Sequence, residues 1–248
     1  MQIDQGVNET MSNQMFERIL NDTTNGSTDI LIQFLEFIRK INPSMDELLA
    51  YINDLNKQYY EMLIIRNGTD KLWNHYHKFK NIQESARILQ NEITMSNFQI
   101  LKKLRSQVDS FHKKVCLTIS NSLTLQFALQ DLDFKEIYIM RSNPGGEGIY
   151  LFVKVPNSHL IEDERAVSLI RSGVVDMILI GSDAFKPGYR FINKVGSREI
   201  CNAAAEIDIP VFILTNSLKE TEKLPKIKSH MFEEIPITSN ITVITDTN

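Results

Sequence analysis

The sequence predicts an α/β fold: a helical N-terminal domain followed by a Rossmann-like domain on a mostly parallel sheet. Three observations carry this. Residues 1–112 hold three glycines and one proline, whereas residues 113–248 hold seven and six, so turn punctuation is rare in front and frequent behind. Apolar residues in the front recur at helical spacing. The back alternates short β-rich runs with helical segments, as successive βαβ units with right-handed crossovers require.

Taken in order, the first dozen residues are polar and read as a loose tail. From Thr28, the positions Leu31, Phe34, Leu35, Phe37, Ile38 and Ile41 form one helical face, closed by Asn42-Pro43. Ser44 with Glu47 three residues on is a capping-box pattern, opening a helix to about Arg66 that Asn67-Gly68 would end. A helix through Trp73 and Tyr76 follows, then a long one from about Ile82 to His112. Beyond Lys114, β-type runs fall at residues 115–119, 136–140, 149–155, 174–180, 211–214 and 241–245. Helical segments lie at about 122–129, 163–172 and 197–206. Near-continuous apolar strands such as Met177-Ile178-Leu179-Ile180 suit a sheet covered on both faces. The join between a 1–112 domain and a 113–248 domain is expected near His112 to Lys114.

Composition narrows the function classes. The chain has 248 residues, a net charge of -4, 42% apolar and 23% charged residues, enough to bury roughly 70–75% of its unfolded surface without a staple. Mild acidity argues against direct nucleic-acid binding. No apolar run approaches the ~18–20 residues of a membrane helix, and the N-terminus lacks a basic-then-apolar signal. Cys116 and Cys201 make no disulfide framework, so a reducing, cytoplasmic setting is expected.

In doubly wound sheets, ligands bind beyond the carboxyl ends of strands. After the first strand comes Thr118-Ile119-Ser120-Asn121-Ser122: hydroxyls and an amide at a strand-to-helix turn suit a polar ligand, or simply cap the helix. After the second comes Arg141-Ser142-Asn143-Pro144-Gly145-Gly146, a charged, glycine-rich loop. It is not the G-x-G-x-x-G of dinucleotide sites, and a plain loop before Tyr150 is the alternative. After the fourth, Asp183 is placed as a candidate general base. Asn193 and Lys194, before the next helix, are candidates to hold a hydroxylated, phosphorylated ligand; a turn cap and a solvated lysine are the simpler readings. Near the front, Gly26 and Ser27 open the first strong helix, as a phosphate cradle or an ordinary cap. His75 and His77 face apart on a helix, so no metal is expected. Nor is any other cofactor.

Taken together, these segments resemble one family. The strongest match is Val175-Asp176-Met177-Ile178-Leu179-Ile180-Gly181-Ser182-Asp183, followed ten residues after the aspartate by Asn193-Lys194-Val195-Gly196-Ser197. Phe232-Glu233-Glu234-Ile235-Pro236 and Ile241-Thr242-Val243-Ile244-Thr245 resemble closing motifs of the same family. It is the superfamily of the regulatory alpha, beta and delta subunits of translation initiation factor two-B, methylthioribose-1-phosphate isomerase and ribose-1,5-bisphosphate isomerase. The resemblance implies an interdomain pocket for a phosphorylated sugar or nucleotide. It also implies pairing with a second copy or a paralogous subunit through the C-terminal domain. In the isomerases a cysteine and the aspartate form the acid/base pair, converting an aldose-1-phosphate to a ketose phosphate. Here Asp183 stands at the aspartate and Ser120 at the cysteine. An alcohol exchanges protons at neutral pH far less readily than a thiol near pKa 8.5. The expectation is therefore a divergent, binding-only relative. An isomerase working through Asp183 and a ligand-free scaffold are the alternatives. Gly26, Ser27, Asn121, Arg141, Ser142, Asn193 and Lys194 are the expected ligand contacts.

Overall fold

The computed structural model describes residues 3–247, with side chains from Met11 onward. Five helices come first: α1 (Ile3–Leu20), α2 (Ser27–Ile41), α3 (Met45–Gln58), α4 (Leu63–Phe79) and α5 (Ile82–Gln107). The expected loose tail is helical from Ile3, and its first two residues lie outside the described ones. Phe16 and Ile19 are buried, and the Phe16 ring stacks on Phe37 of α2 at 5.4 Å. Docking that last stretch nucleates the helix, which then extends cheaply into the polar residues before it.

The apolar face of α2 is buried as its spacing predicts, and Asn42 closes it in the left-handed conformation, φ 46°. The capping box at α3 is complete: the Ser44 amide donates to Glu47 Oε2 at 2.8 Å, and the Glu47 amide to Ser44 Oγ at 3.4 Å. The helix ends at Gln58, not near Arg66. Tyr59 turns inward there, its hydroxyl donating to the Ile19 carbonyl at 2.6 Å. Gly68 stops nothing and lies within α4; a Cβ there would sit 2.4 Å from Leu31 Cδ2, so its smallness lets α2 pack closely.

The C-terminal half holds a six-stranded, all-parallel sheet in the order β3-β2-β1-β4-β7-β9. Its strands are β1 (Val115–Thr118), β2 (Glu136–Met140), β3 (Ser158–Ile161), β4 (Met177–Ile180), β7 (Val211–Leu214) and β9 (Ile241–Ile244). Helices α6 (Leu123–Asp131), α7 (Glu147–Lys154), α8 (Arg165–Arg171) and α9 (Ser197–Glu206) connect them. Successive strand residues serve opposite cores. Leu117, Ile178 and Ile180 pack with α8 and α9, while Cys116 and Leu179 pack with α6, α7 and the end of α5. A second, antiparallel sheet, β5-β6-β8, comprises β5 (Ala184–Lys186), β6 (Arg190–Lys194) and β8 (Phe232–Pro236).

One expected strand is a helix. Residues 149–155 fall in and just after α7, whose inward positions Gly148, Leu151 and Val155 repeat at helical spacing. Short apolar runs do not by themselves distinguish strand from helix. Here the decisive contact is Gly148 against β2: a Cβ would lie 1.8 Å from the Met140 carbonyl oxygen. The strand that pairs with β2 is the next segment, Ser158–Ile161.

The strand order fixes where a ligand belongs. From β1 the chain proceeds outward to β2 and β3, and from β4 outward the other way to β7 and β9. Neighbours β1 and β4 thus flank the switch point, where loops part beyond the strand ends and leave a crevice.

Candidate functional site

That crevice exists. It is lined by the turns after β1 (Ser120, Asn121) and β4 (Ser182, Asp183), the start of α2 (Gly26, Ser27), Asn193 and Lys219. Its volume is about 30 Å³, room for about one or two waters.

The segment before α2 is folded around Asp22. Its carboxylate accepts from the Thr24 and Asn25 amides, from Asn25 Nδ2 at 2.8 Å and from Gln33 Nε2 at 3.0 Å. Burial opposes the charge, but these donors outweigh it and hold the Asp22 pKa down at about 2. Asn121 Nδ2 donates to the Thr24 carbonyl at 2.9 Å, and a Cβ on Gly26 would lie 2.5 Å from the Asn121 carbonyl oxygen. The starts of α2 and α6 therefore meet backbone to backbone. Neither helix has a side-chain cap, so both first turns keep unsatisfied amides of the kind that favour an anion.

Ser27 Oγ donates to Asp183 Oδ1 at 2.8 Å, bridging the crevice between residues 156 positions apart in sequence. The Asp183 backbone is held too: its amide donates to the Ile192 carbonyl, and its carbonyl accepts from the Leu63 amide. Asn193 Nδ2 donates to Ser197 Oγ at 2.9 Å. Because Asn121 Nδ2 faces the Thr24 carbonyl, its Oδ1 is fixed as the acceptor turned elsewhere. That oxygen is buried without a partner.

Sequence reasoning missed Lys219. It lies five residues beyond β7, a further strand end, and its Nζ donates to the Ser182 carbonyl at 2.7 Å. Burial pushes its pKa down, with the Asp183 and Asp29 carboxylates pulling the other way. Asp29, one turn into α2, is pushed up to about 6 by burial; Lys154 and Lys219 oppose this and Asp22 adds to it.

The structure thus brings Gly26, Ser27, Ser120, Asn121, Asp183 and Asn193 together, and does not bring Arg141, Ser142 or Lys194 to the crevice wall. Arg141 pairs with Glu162 at 2.8 Å. Ser142 is a brace: its Oγ accepts from the Ser120 amide at 2.7 Å and donates to the Met140 carbonyl at 3.0 Å. Ser120 needs the brace, since its φ of 75° is a left-handed conformation costing a serine about 1 kcal/mol or more. Lys194 alternates with Asn193 along β6, so it faces away, and its buried Nζ donates to Glu147 Oε1 at 2.8 Å. Neither thiol lines the crevice. Burial raises each, Cys201 to about 12. Among the described residues no cluster of three or more His, Cys, Asp or Glu suits a metal, and no helix is long and apolar enough to cross a membrane.

Comparison with known proteins agrees with this layout. Residues 10–248 match the profile of the Initiation factor 2 subunit family. The translation initiation factor eIF-2B of Pyrococcus horikoshii OT3 is similar in structure at 14% identity, TM-score 0.78, with 95% of each chain covered. The 5-methylthioribose 1-phosphate isomerase of the same organism is similar at 16% identity, TM-score 0.70, covering 95% of this chain and 83% of that one. The tetrameric eIF2B-beta2-delta2 complex of C. thermophilum contributes a further match at 14% identity, TM-score 0.65, with 96% and 90% covered. At these identities the likeness is one of fold. No curated protein sequence matches the chain.

Proposed function

The chain belongs to the Initiation factor 2 subunit family, and from that premise we propose that it binds a small phosphorylated sugar in the switch-point crevice without isomerising it efficiently. One observation carries the reading: two uncapped helix N-termini, a buried lysine and a buried, unpartnered amide oxygen converge on one polar crevice. The phosphoryl group takes the first-turn amides and Lys219. Sugar hydroxyls take Asn121 Oδ1 and Asp183.

A crevice of about 30 Å³ must widen to admit such a ligand. The Ser27–Asp183 hydrogen bond is the bridge to exchange, because each partner finds a replacement on the ligand. Small volume favours a sugar phosphate over a nucleotide. Against isomerisation stands Ser120, an alcohol where proton exchange calls for a group titrating nearer neutrality.

Thermal-shift measurements with ribose 5-phosphate, ribose 1,5-bisphosphate and AMP test the reading. A ligand at 100 times its Kd stabilises by about 2.7 kcal/mol. A shift with the sugar phosphates, lost in Lys219→Met, is expected. The same small volume favours a closed-crevice scaffold as the second reading, and absence of any shift would decide for it. Isomerisation of ribose 1,5-bisphosphate or methylthioribose 1-phosphate, abolished in Asp183→Asn, would sink the binding-only reading.

We propose further that the chain pairs with a second copy or a paralogous subunit through its sheet-bearing half, in a cytoplasmic setting. The family and the complex among its structural relatives support the first, and two unbridged thiols the second. Sedimentation of the purified chain tests self-pairing.

A further inference from the structure

Three strands that lie side by side in the sheet, β3, β2 and β1, end in a hydrogen-bonded relay that runs to the crevice. Just beyond β3, the Asp163 carboxylate accepts from the Ser142 amide through Oδ1 at 2.8 Å and from the Asn143 amide through Oδ2 at 2.7 Å. Ser142, just beyond β2, passes the tie on. Its hydroxyl donates to the Met140 carbonyl at 3.0 Å, which leaves a lone pair to accept from the Ser120 amide at 2.7 Å. Ser120, just beyond β1, lines the crevice.

Both serines in this relay are left-handed, with φ of 68° at Ser142 and 75° at Ser120. A residue other than glycine keeps that conformation only where its surroundings hold it. Here each serine is held through its own amide, by an acceptor from the next strand outward. The outermost acceptor is a carboxylate, and bonds to an ionised acceptor are among the stronger ones available. Asp163 has an ordinary alternative use, since it stands just before α8, where an aspartate side chain commonly caps a helix. That helix start has no side-chain cap, and both Asp163 oxygens go to the loop after β2 instead.

What the relay fixes is the turn that carries Asn121. Asn121 Nδ2 donates to the Thr24 carbonyl at 2.9 Å, and its own carbonyl oxygen lies against Gly26. If Ser120 relaxed to a negative φ, the peptide after it would turn and carry Asn121 off both contacts. The first turns of α2 and α6 would then no longer face the same point.

We propose that Asp163, which does not itself line the crevice, is a positioning residue for it, acting through Ser142 to hold the Ser120 turn in its left-handed form. This rests on the sugar-phosphate reading above and deepens it.

The test is the dissociation constant of ribose 5-phosphate, measured by calorimetry on the full chain, with circular dichroism to establish that each variant is folded. Ser142→Gly removes the hydroxyl while suiting φ 68°, and Asp163→Ala removes both acceptors. Each is expected to weaken binding at least tenfold. The same two changes are then made in the Ser120→Gly background, where the turn needs no brace to stay left-handed. There each is expected to change the constant less than threefold. A role confined to stability would not produce that difference between backgrounds. If Asp163→Ala does not fold, Asp163→Asn keeps one of the two acceptors and is expected to weaken binding about three- to tenfold.

Folded Ser142→Gly and Asp163 variants that bind as the wild type does would overturn the proposal and leave the sugar-phosphate reading intact. Losses of equal size in both backgrounds overturn it too, because the effect would not run through Ser120. A wild type that binds neither ribose 5-phosphate nor ribose 1,5-bisphosphate sinks the sugar-phosphate reading itself, and the proposal with it.

Discussion

Individual residues here are set by what surrounds their charge. Asp22 and Asp29 are seven positions apart, both partly buried, yet displaced in opposite directions. Asp22 collects five side-chain and backbone donors and falls to about 2; Asp29 has an oxygen buried without a donor and rises to about 6. The stability consequence of Asp29 follows from its sign. Between its ordinary 3.8 and about 6, the folded state keeps a proton that the unfolded chain has released. Stability therefore declines as pH climbs through that window, and above it the fold carries a constant penalty of about 1–3 kcal/mol. Asp29→Asn is expected to raise stability by that amount at pH 7.5 and to change little at pH 3.5. Urea unfolding at both values checks it, and equal effects at both would remove the buried charge as the cause. Gly26→Ala makes a second residue-scale case. Its φ of -72° suits any residue, so the cost is purely the 2.5 Å approach to the Asn121 carbonyl oxygen. A loss of about 1–3 kcal/mol is expected, with weakened sugar-phosphate binding where α2 and α6 no longer meet.

Elements were legible where local chemistry decides them and obscure where a distant contact does. The α2 face, the Ser44 capping box and strands β1, β2, β4, β7 and β9 follow from spacing and composition. Ser44→Ala, at an exposed cap, is expected to cost about 1 kcal/mol, read as a fall in the urea midpoint. Gly68 and Gly148 resist such reading. One looks like a stop, but its missing side chain makes room for Leu31; the other precedes a run of β-formers, but makes room for the Met140 carbonyl oxygen. Helix propensity alone says Gly148→Ala gains about 1 kcal/mol. A backbone oxygen 1.8 Å from the new Cβ says otherwise, and the variant is expected to lose about 2 kcal/mol or more. A stabilised variant would remove that contact as the reason α7 is a helix. The site divides the same way: Asp183, Asn121 and Ser27 announce themselves at strand and helix ends. That Lys194 is neutralised by Glu147 depends on a pairing across 47 residues, which no local pattern contains.

At the scale of the molecule, the two halves share more than a linker. The sequence changes grammar near residue 112, between α5 and β1, but α5 serves both cores. Ile82, Ala86, Leu89 and Ile93 pack in the helical cluster, and Ile100, Leu101 and Leu104 in a sheet cluster. Polar ties reinforce this: Asn216 Nδ2 donates to Ser96 Oγ at 2.6 Å, and Asn67 Nδ2 to the Leu218 carbonyl at 2.7 Å. The Glu61 carboxylate accepts the Lys228 and Ser229 amides, pinning the segment before β8 onto the approach to α4. A helix that loses one core exposes apolar surface continuous with the other, so neither half opens without cost to its neighbour. The chain is therefore expected to unfold in one cooperative step. Nature has placed separate reporters: Trp73, the single tryptophan, lies in the helical half, while Cys116 and Cys201 are buried in the sheet half. Tryptophan fluorescence and thiol reactivity, followed through the same urea titration, should trace one midpoint. Thiols that stay protected after the tryptophan signal is lost would show the sheet half standing alone, and would make the crevice an interface between two independently stable units.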